Sequence, residues 1–105
     1  MVHHIMLFKL KPEVTTAKVE KMMMTTRMML LKIPEILSVK CGKTIREDNA
    51  WPFFIALDFE SLDKQSVAED DPVYLKFVTQ VVKPHVAERL SLLYEMEPGK
   101  SVKFS

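Results

Sequence analysis

The chain has 105 residues, of which 48% are hydrophobic and 28% charged, and its formal net charge is +1. These values are typical of a soluble globular protein and predict a single domain over 1–105 with a modest core. The balanced charge argues against nucleic acid as a partner, and no stretch is apolar enough to span a membrane. Two glycines are too few for a phosphate-binding loop. The single cysteine favours a reducing, cytoplasmic location.

The first stretch, 2–10, predicts a strand that is apolar on both faces. One face carries His4, Met6, Phe8 and Leu10, and the other carries His3, Ile5, Leu7 and Lys9. A strand of this kind must be covered on both sides, so we expect it in the interior of a sheet.

The next elements are a helix and two strands. Pro12 and Glu13 suit a helix start, and the helix runs to about Lys32. Its apolar face follows helical spacing and consists of Val19, Met22, Met23, Thr26, Met29, Leu30 and Ile33. Partial alternation predicts strands over 36–45 and 51–59, separated by a polar turn.

The second half repeats the order of helix and strand. Ser61 is a candidate cap for a short helical turn, and Asp71 with Pro72 opens a longer helix with apolar positions to Val82. Pro84 marks a break, which is followed by a turn over 85–88, a last strand over 89–96 and a turn over 98–101.

The order strand, helix, strand, strand, helix, strand is the ferredoxin-like split βαβ-βαβ pattern of the α+β class. It predicts a four-stranded antiparallel sheet with both helices on one face. The other face would be bare in a monomer. We assign Phe53, Ile55, Leu57 and Phe59 to this bare face. We therefore expect a homodimer through the sheet face, which is a dimeric α+β barrel.

The chain resembles the stress-responsive dimeric α+β barrel (Dabb) domain family over nearly its whole length. The segments that carry the resemblance are the opening 2–12, Ile33-Pro34, Gly42-Lys43, Phe59-Glu60-Ser61, Asp71-Pro72 and Lys83-Pro84. The family belongs to a fold superfamily used for monooxygenases, mutases and polyketide cyclases such as olivetolic acid cyclase, and many members have no known reaction.

The resemblance also implies a pocket, more strongly than it implies a particular chemistry. Cyclase-like members carry an acid–base His two residues after the Pro that opens the second helix, and an assisting Tyr six residues before it. The matching positions here are Tyr74 and Ala68, so both groups of that pair differ. The histidine near the start of the first strand is kept as His4.

Two residues are candidates for catalysis. His4 titrates near neutral pH and can orient or deprotonate a substrate, although a hydrogen-bonded structural histidine is the alternative. Tyr74 is a poor base but a good hydrogen-bond donor to a carbonyl or phenol, and its alternative is an ordinary core tyrosine.

Candidate substrate-binding residues are apolar or lie near the expected cavity mouth. They are Met6, Phe8, Met22, Met23, Thr26, Trp51, Phe53, Ile55, Phe77 and His85. Methionine adapts to irregular ligands, but the same residues also suit a plain core. The adjacent pair His3-His4 points to opposite sides of a strand and does not form a metal motif, so we expect no metal and no cofactor.

The leading hypothesis is a small dimeric barrel that binds an apolar, polyketide-like or phenolic molecule. It would catalyse cofactor-free cyclisation, dehydration or decarboxylation by proton transfer, as a cyclase or lyase. The alternative is a non-catalytic, stress-responsive dimer that binds a ligand or stabilises partners. A haem or flavin monooxygenase is a weaker third hypothesis, because no residue set suggests a haem ligand.

Overall fold

The computed structural model describes residues 1–96, which build a four-stranded antiparallel sheet with helices on one face. The strands are β1 (Val2–Leu10), β2 (Ser38–Lys43), β3 (Phe53–Phe59) and β4 (Val86–Glu95), in the order β2-β3-β1-β4. The helices are α1 (Thr16–Leu30), α2 (Leu62–Glu69), α3 (Pro72–Phe77) and α4 (Lys83–His85), and a π-helical segment spans Val78–Val82. The predicted ferredoxin-like arrangement is confirmed, with β1 in the interior.

Strand β1 is the element on which the sheet is built. Its even-numbered residues up to Phe8 are buried under the helices, whereas its odd-numbered residues from His3 are half-buried on the open face. Met6 lies opposite Ile55 of β3 and Ser91 of β4. β1 therefore has a strand neighbour on each edge and a helix layer on one face, and its other face is open.

The face assigned to the apolar residues of β3 was wrong. Phe53, Ile55, Leu57 and Phe59 are at most 2% exposed and lie under the helices, because the strand register places them beside the buried residues of β1. The open face instead carries smaller and less buried apolar side chains, namely Ile5, Leu7, Phe54, Ala56, Leu90 and Leu92.

Helix α1 begins later than its sequence suggested. Pro12 and Glu13 form a turn, and Thr15 is the N-cap, with its Oγ1 accepting from the Lys18 amide at 3.2 Å. A hydroxyl that accepts a backbone N–H satisfies one of the free donors at the helix start, which proline at position 12 does not do. The structure has the predicted caps Ser61 and Asp71, whose side chains accept from backbone amides of α2 and α3.

The end of the helical layer also differs from the prediction. The segment Val78–Val82 is π-helical, and the amide of Lys83 bonds to the carbonyl of Val78. Pro84 lacks an N–H, so a regular α-helix cannot continue its hydrogen bonds through this point. The last strand already begins at Val86, so most of the turn predicted over 85–88 is strand.

Within residues 1–96, the structure contains no helix that is both long and apolar enough to cross a membrane. The turn predicted over 98–101 lies outside the described residues.

Candidate functional site

The helix layer leaves the edge strand β4 uncovered. Helices α1 and α2 pack on β1, β2 and β3, whereas Arg89, Ser91 and Leu93 point to the helix side of β4 and are exposed. We call these three residues the β4 strip. Leu93 is 49% exposed although it lies directly opposite His4. The helix layer therefore ends beside His4 and leaves a step down to the exposed β4 strip. We call this step the cleft.

His4 lies at the inner wall of this cleft and is 4% exposed. Its Nδ1 atom is buried and has no hydrogen-bond partner in the described part of the chain. Burial lowers the pKa of His4; the Glu69 carboxylate raises it and the Arg89 guanidinium lowers it, and the sum lies below the ordinary value of 6.5. The imidazole is therefore neutral at neutral pH, which is the form that accepts a proton.

Tyr74 enters the same region from α3 and is 7% exposed. Its hydroxyl contacts the Met6 sulfur at 3.9 Å, and its ring packs against Phe77 with the ring centroids 6.4 Å apart. Burial raises the pKa of Tyr74, and Arg89 offsets this only in part. Met6 follows His4 by two residues on the same face, about 7 Å along the strand. The Tyr74 hydroxyl therefore lies at the middle of β1, two residues along the buried face from His4.

Three polar residues of this region were not predicted from the sequence: Gln65, Glu69 and Arg89. Gln65 on α2 is 2% exposed, and its Nε2 donates to Glu69 Oε1 at 2.5 Å. The charges of Glu69 and Arg89 contribute to the pKa shifts of both His4 and Tyr74, and Arg89 lies opposite Phe8 in the sheet. The four-residue spacing of Gln65 and Glu69 on one helix face was a usable signal, whereas the position of Arg89 required the register of β4.

The predicted substrate-binding residues fall into two groups. Met6 contacts Tyr74 directly, Ile55 lies opposite Met6, and Phe77 packs on Tyr74. The structure brings these three together with His4 and Tyr74. The other predicted residues have different contact partners, and they are Phe8, Phe53, Met22, Met23, Thr26, Trp51 and His85.

Contacts show where the second group lies. Phe8 and Phe53 stack on each other at 5.5 Å, and the Thr26 hydroxyl donates to the carbonyl of Met22 within α1 at 2.7 Å. The Trp51 ring lies 4.9 Å from the ammonium of Lys9.

His85 lies beside the end of β1 that is remote from His4. Its carbonyl accepts from the amide of Lys11 at 2.9 Å. Lys11 follows β1, about 23 Å along the chain from His4. His85 therefore lies at the opposite end of the sheet from the candidate site.

The open face carries a second polar group, which sequence reasoning did not identify. Asp58 accepts from the His3 ring at 2.6 Å and from the Ser38 hydroxyl at 2.5 Å, across three neighbouring strands. Burial raises the pKa of Asp58, but these hydrogen bonds and the charges of His3 and Lys40 lower it by more. Among the described residues, no cluster of three His, Cys, Asp or Glu side chains suits a metal ion.

Comparison with known families assigns the chain. The model of the stress responsive A/B barrel domain matches residues 2–96. The chain belongs to the stress-responsive A/B barrel domain family. Comparison with curated protein sequences finds no significant match.

Solved structures agree with this family's fold. A protein from Arabidopsis thaliana has a TM-score of 0.82 at 18% identity, covering 96% of this chain and 100% of its own. A dimeric ferredoxin-like protein from Thermobifida fusca has a TM-score of 0.79 at 22% identity, with 90% of both chains covered. The hydroxynitrile lyase of Passiflora edulis has a TM-score of 0.76 at 17% identity, covering 95% of this chain and 96% of its own. The TM-scores establish a shared fold despite the low sequence identities.

Proposed function

We propose that this stress-responsive barrel protein binds a small apolar molecule in the cleft beside the β4 strip and transfers a proton there. The observation that carries the proposal is that the buried Tyr74 hydroxyl contacts Met6, which follows the buried His4 by two residues on the same face of β1. Burial lowers the pKa of His4 and raises the pKa of Tyr74, which favours a neutral imidazole and a protonated phenol. A neutral imidazole and a phenol in one region can act as a base and a hydrogen-bond donor.

The proposed roles follow from the chemistry of each group. His4 takes a proton from a hydroxyl or an activated carbon of the substrate, and Tyr74 donates to the carbonyl or phenol oxygen on which charge develops. Glu69 stabilises the imidazolium that forms, and Arg89 stabilises the negative oxygen. General acid–base catalysis of this kind contributes about 10²–10⁴-fold in rate.

The substrate class is proposed from the side chains packed around His4 and Tyr74. Met6, Ile55 and Phe77 are apolar and almost fully buried beneath the cleft, and methionine adapts to ligands of irregular shape. We propose a polyketide-like or phenolic molecule and a cofactor-free cyclisation, dehydration or decarboxylation. The shared fold of a hydroxynitrile lyase supports a lyase-type reaction.

The experiment is native mass spectrometry of the protein against linear poly-β-keto compounds and aromatic phenols. Tyr74→Phe should weaken binding about tenfold, because it removes one hydrogen bond in a buried setting. The matched control is Tyr94→Phe, which changes a 54% exposed tyrosine on the open face. For a substrate that is turned over, His4→Ala should abolish the proton-transfer step. Equal binding by the wild type and Tyr74→Phe would contradict the proposed role of Tyr74.

A second proposal concerns assembly. We propose a homodimer through the open sheet face, because Ile5, Leu7, Phe54 and Leu92 form an apolar surface with no cover from the described residues. The dimeric state of the Thermobifida fusca protein supports this. Light scattering after size exclusion should give the mass of two chains, and Leu7→Lys should give one. A wild-type monomer at micromolar concentration would contradict the proposal.

The non-catalytic alternative has one specific observation in its favour. His4 and Tyr74 are 4% and 7% exposed, so a ligand must displace neighbouring side chains to reach them. A stress-responsive dimer that only binds a ligand or stabilises partners would bind through the cleft without turnover. In either case, the single cysteine leaves the fold without an intrachain disulfide, and we propose a reducing, cytoplasmic location.

A further inference from the structure

A cavity of about 180 Å³ lies between α1 and the π-helical segment, at the opposite end of the sheet from His4. We infer that it is a second ligand site, and that it binds the phosphate group of a small anion. We call it the basic cavity, and the residues that carry the argument are Lys18, Lys21, Thr25, Gln80 and His85.

The charge of the basic cavity is the first argument. Lys18 and Lys21 stand one helical turn apart, Lys18 is half-buried, and the lining contains no carboxylate. Glu20, which lies between them in sequence, pairs instead with Lys43 of β2. Within residues 1–96 neither cavity lysine forms a salt bridge. Two uncompensated ammonium groups at one concave site favour a doubly charged anion over a single carboxylate.

The hydrogen-bonding groups are the second argument. Thr25 continues the line of Lys18 and Lys21 along one face of α1, since residues three and four apart are neighbours on a helix. Gln80 supplies an amide from the opposite wall. A phosphate group offers several acceptor oxygens, which this mixture of ammonium, hydroxyl and amide donors can satisfy from two sides.

His85 supplies a further group with a defined tautomer. Its Nδ1 lies 2.8 Å from the carbonyl oxygen of Val81. A carbonyl only accepts, so Nδ1 carries the hydrogen and Nε2 is left for a ligand.

The backbone explains why the cavity forms here. Pro84 cannot donate a hydrogen bond to the preceding turn, and the chain adopts the wider π-helical turn over Val78–Val82. This turn packs against α1 and brings Gln80 and His85 across from the lysines. Short π-helical segments occur frequently at functional sites.

The test is a titration of ¹⁵N-labelled protein with sodium phosphate, followed by amide chemical shifts at constant ionic strength and with chloride as the reference anion. Phosphate should shift the amides of 18–25 and 80–85 together, with saturation. Lys18→Gln should weaken the affinity at least tenfold, because a partly buried charge-assisted hydrogen bond is lost. Lys32→Gln removes the same charge from an exposed position at the other end of α1 and should leave the affinity unchanged.

A second probe distinguishes free phosphate from a phosphate ester. Met22 and Val81 add apolar surface to the basic cavity, so phenyl phosphate should bind more tightly than inorganic phosphate if the natural ligand is an ester. Equal affinities would assign the site to inorganic phosphate. Unsaturable shifts spread over all exposed lysines, or equal weakening by Lys18→Gln and Lys32→Gln, would overturn the proposal. None of these outcomes depends on the cleft at His4.

Discussion

Replacement of His4 by leucine should stabilise the protein, and more so in mild acid. The ring is 4% exposed and its buried Nδ1 has no partner among the described residues, so the folded state bears the cost of an unpaired polar atom. Such an atom costs about 1–3 kcal/mol, and leucine is apolar and of similar size. We expect His4→Leu to raise the free energy of unfolding by about 1 kcal/mol at pH 7.5, after allowance for imperfect packing.

The acid dependence follows from the sign of the pKa shift. The pKa of His4 is lowered on folding, so below pH 6.5 the unfolded chain binds a proton that the folded chain does not. Wild-type stability therefore falls as the pH drops from 6.5 towards the folded pKa, by at most about 1.4 kcal/mol per pH unit. His4→Leu removes this loss, so its advantage should grow between pH 7.5 and 5.5.

The assay is urea unfolding followed by circular dichroism at pH 7.5, 6.5 and 5.5. Both proteins are compared at one protomer concentration, because association would otherwise change the apparent stability. A variant that is less stable than wild type at all three pH values, with a parallel pH dependence, would refute the reasoning. It would mean that His4 Nδ1 is satisfied in solution and that the imidazole is not held neutral by burial.

Three other predictions concern stability and assembly. Gly42→Ala should move the Phe54 ring, because a Cβ would lie 2.5 Å from its Cε1 atom. Sedimentation should then show a weaker dimer, while the stability of the protomer changes by less than about 1 kcal/mol. Asp58→Asn should lower stability at pH 7 by about 1–2 kcal/mol. The pKa of Asp58 is lowered on folding, so this contribution should disappear as the pH falls below about 4. A difference in urea midpoints that stays constant with pH would contradict this prediction. Asp71→Ala should cost about 1 kcal/mol by loss of the α3 cap, and Asp71→Asn should restore most of it.

The sequence predicted the order and type of the elements because local rules decide them. The alternation of β1, the two-residue signal Asp71-Pro72 and the hydroxyl of Ser61 act within a few residues of where they stand. The start of α1 was missed because Pro12 with Glu13 was taken as the helix start, whereas the hydroxyl of Thr15 caps the helix three residues later. The π-helical segment has no hydrophobic signature and was visible only as the break at Pro84.

The candidate site was predictable in part. Alternation places His4 on the buried side of β1, and helical spacing places Tyr74 and Phe77 on one face. The face of β3 was assigned wrongly because alternation gives two faces without saying which one the helices cover. Arg89 comes next to the buried face of β1 only through the pairing of β1 with β4, and no periodicity within either strand predicts that register.

The pairing of the first strand with the last has a consequence for how the chain folds. Val2 lies opposite Glu95, and the amide of Met96 bonds to the carbonyl of Met1, so this ladder closes a loop that contains nearly all of the described chain. Contacts of such long sequence separation carry the largest loop-closure entropy and slow the folding rate. During synthesis, β1 emerges first and keeps one edge without its partner until β4 has left the ribosome. The central strand of the sheet is thus the segment with the longest exposure to aggregation.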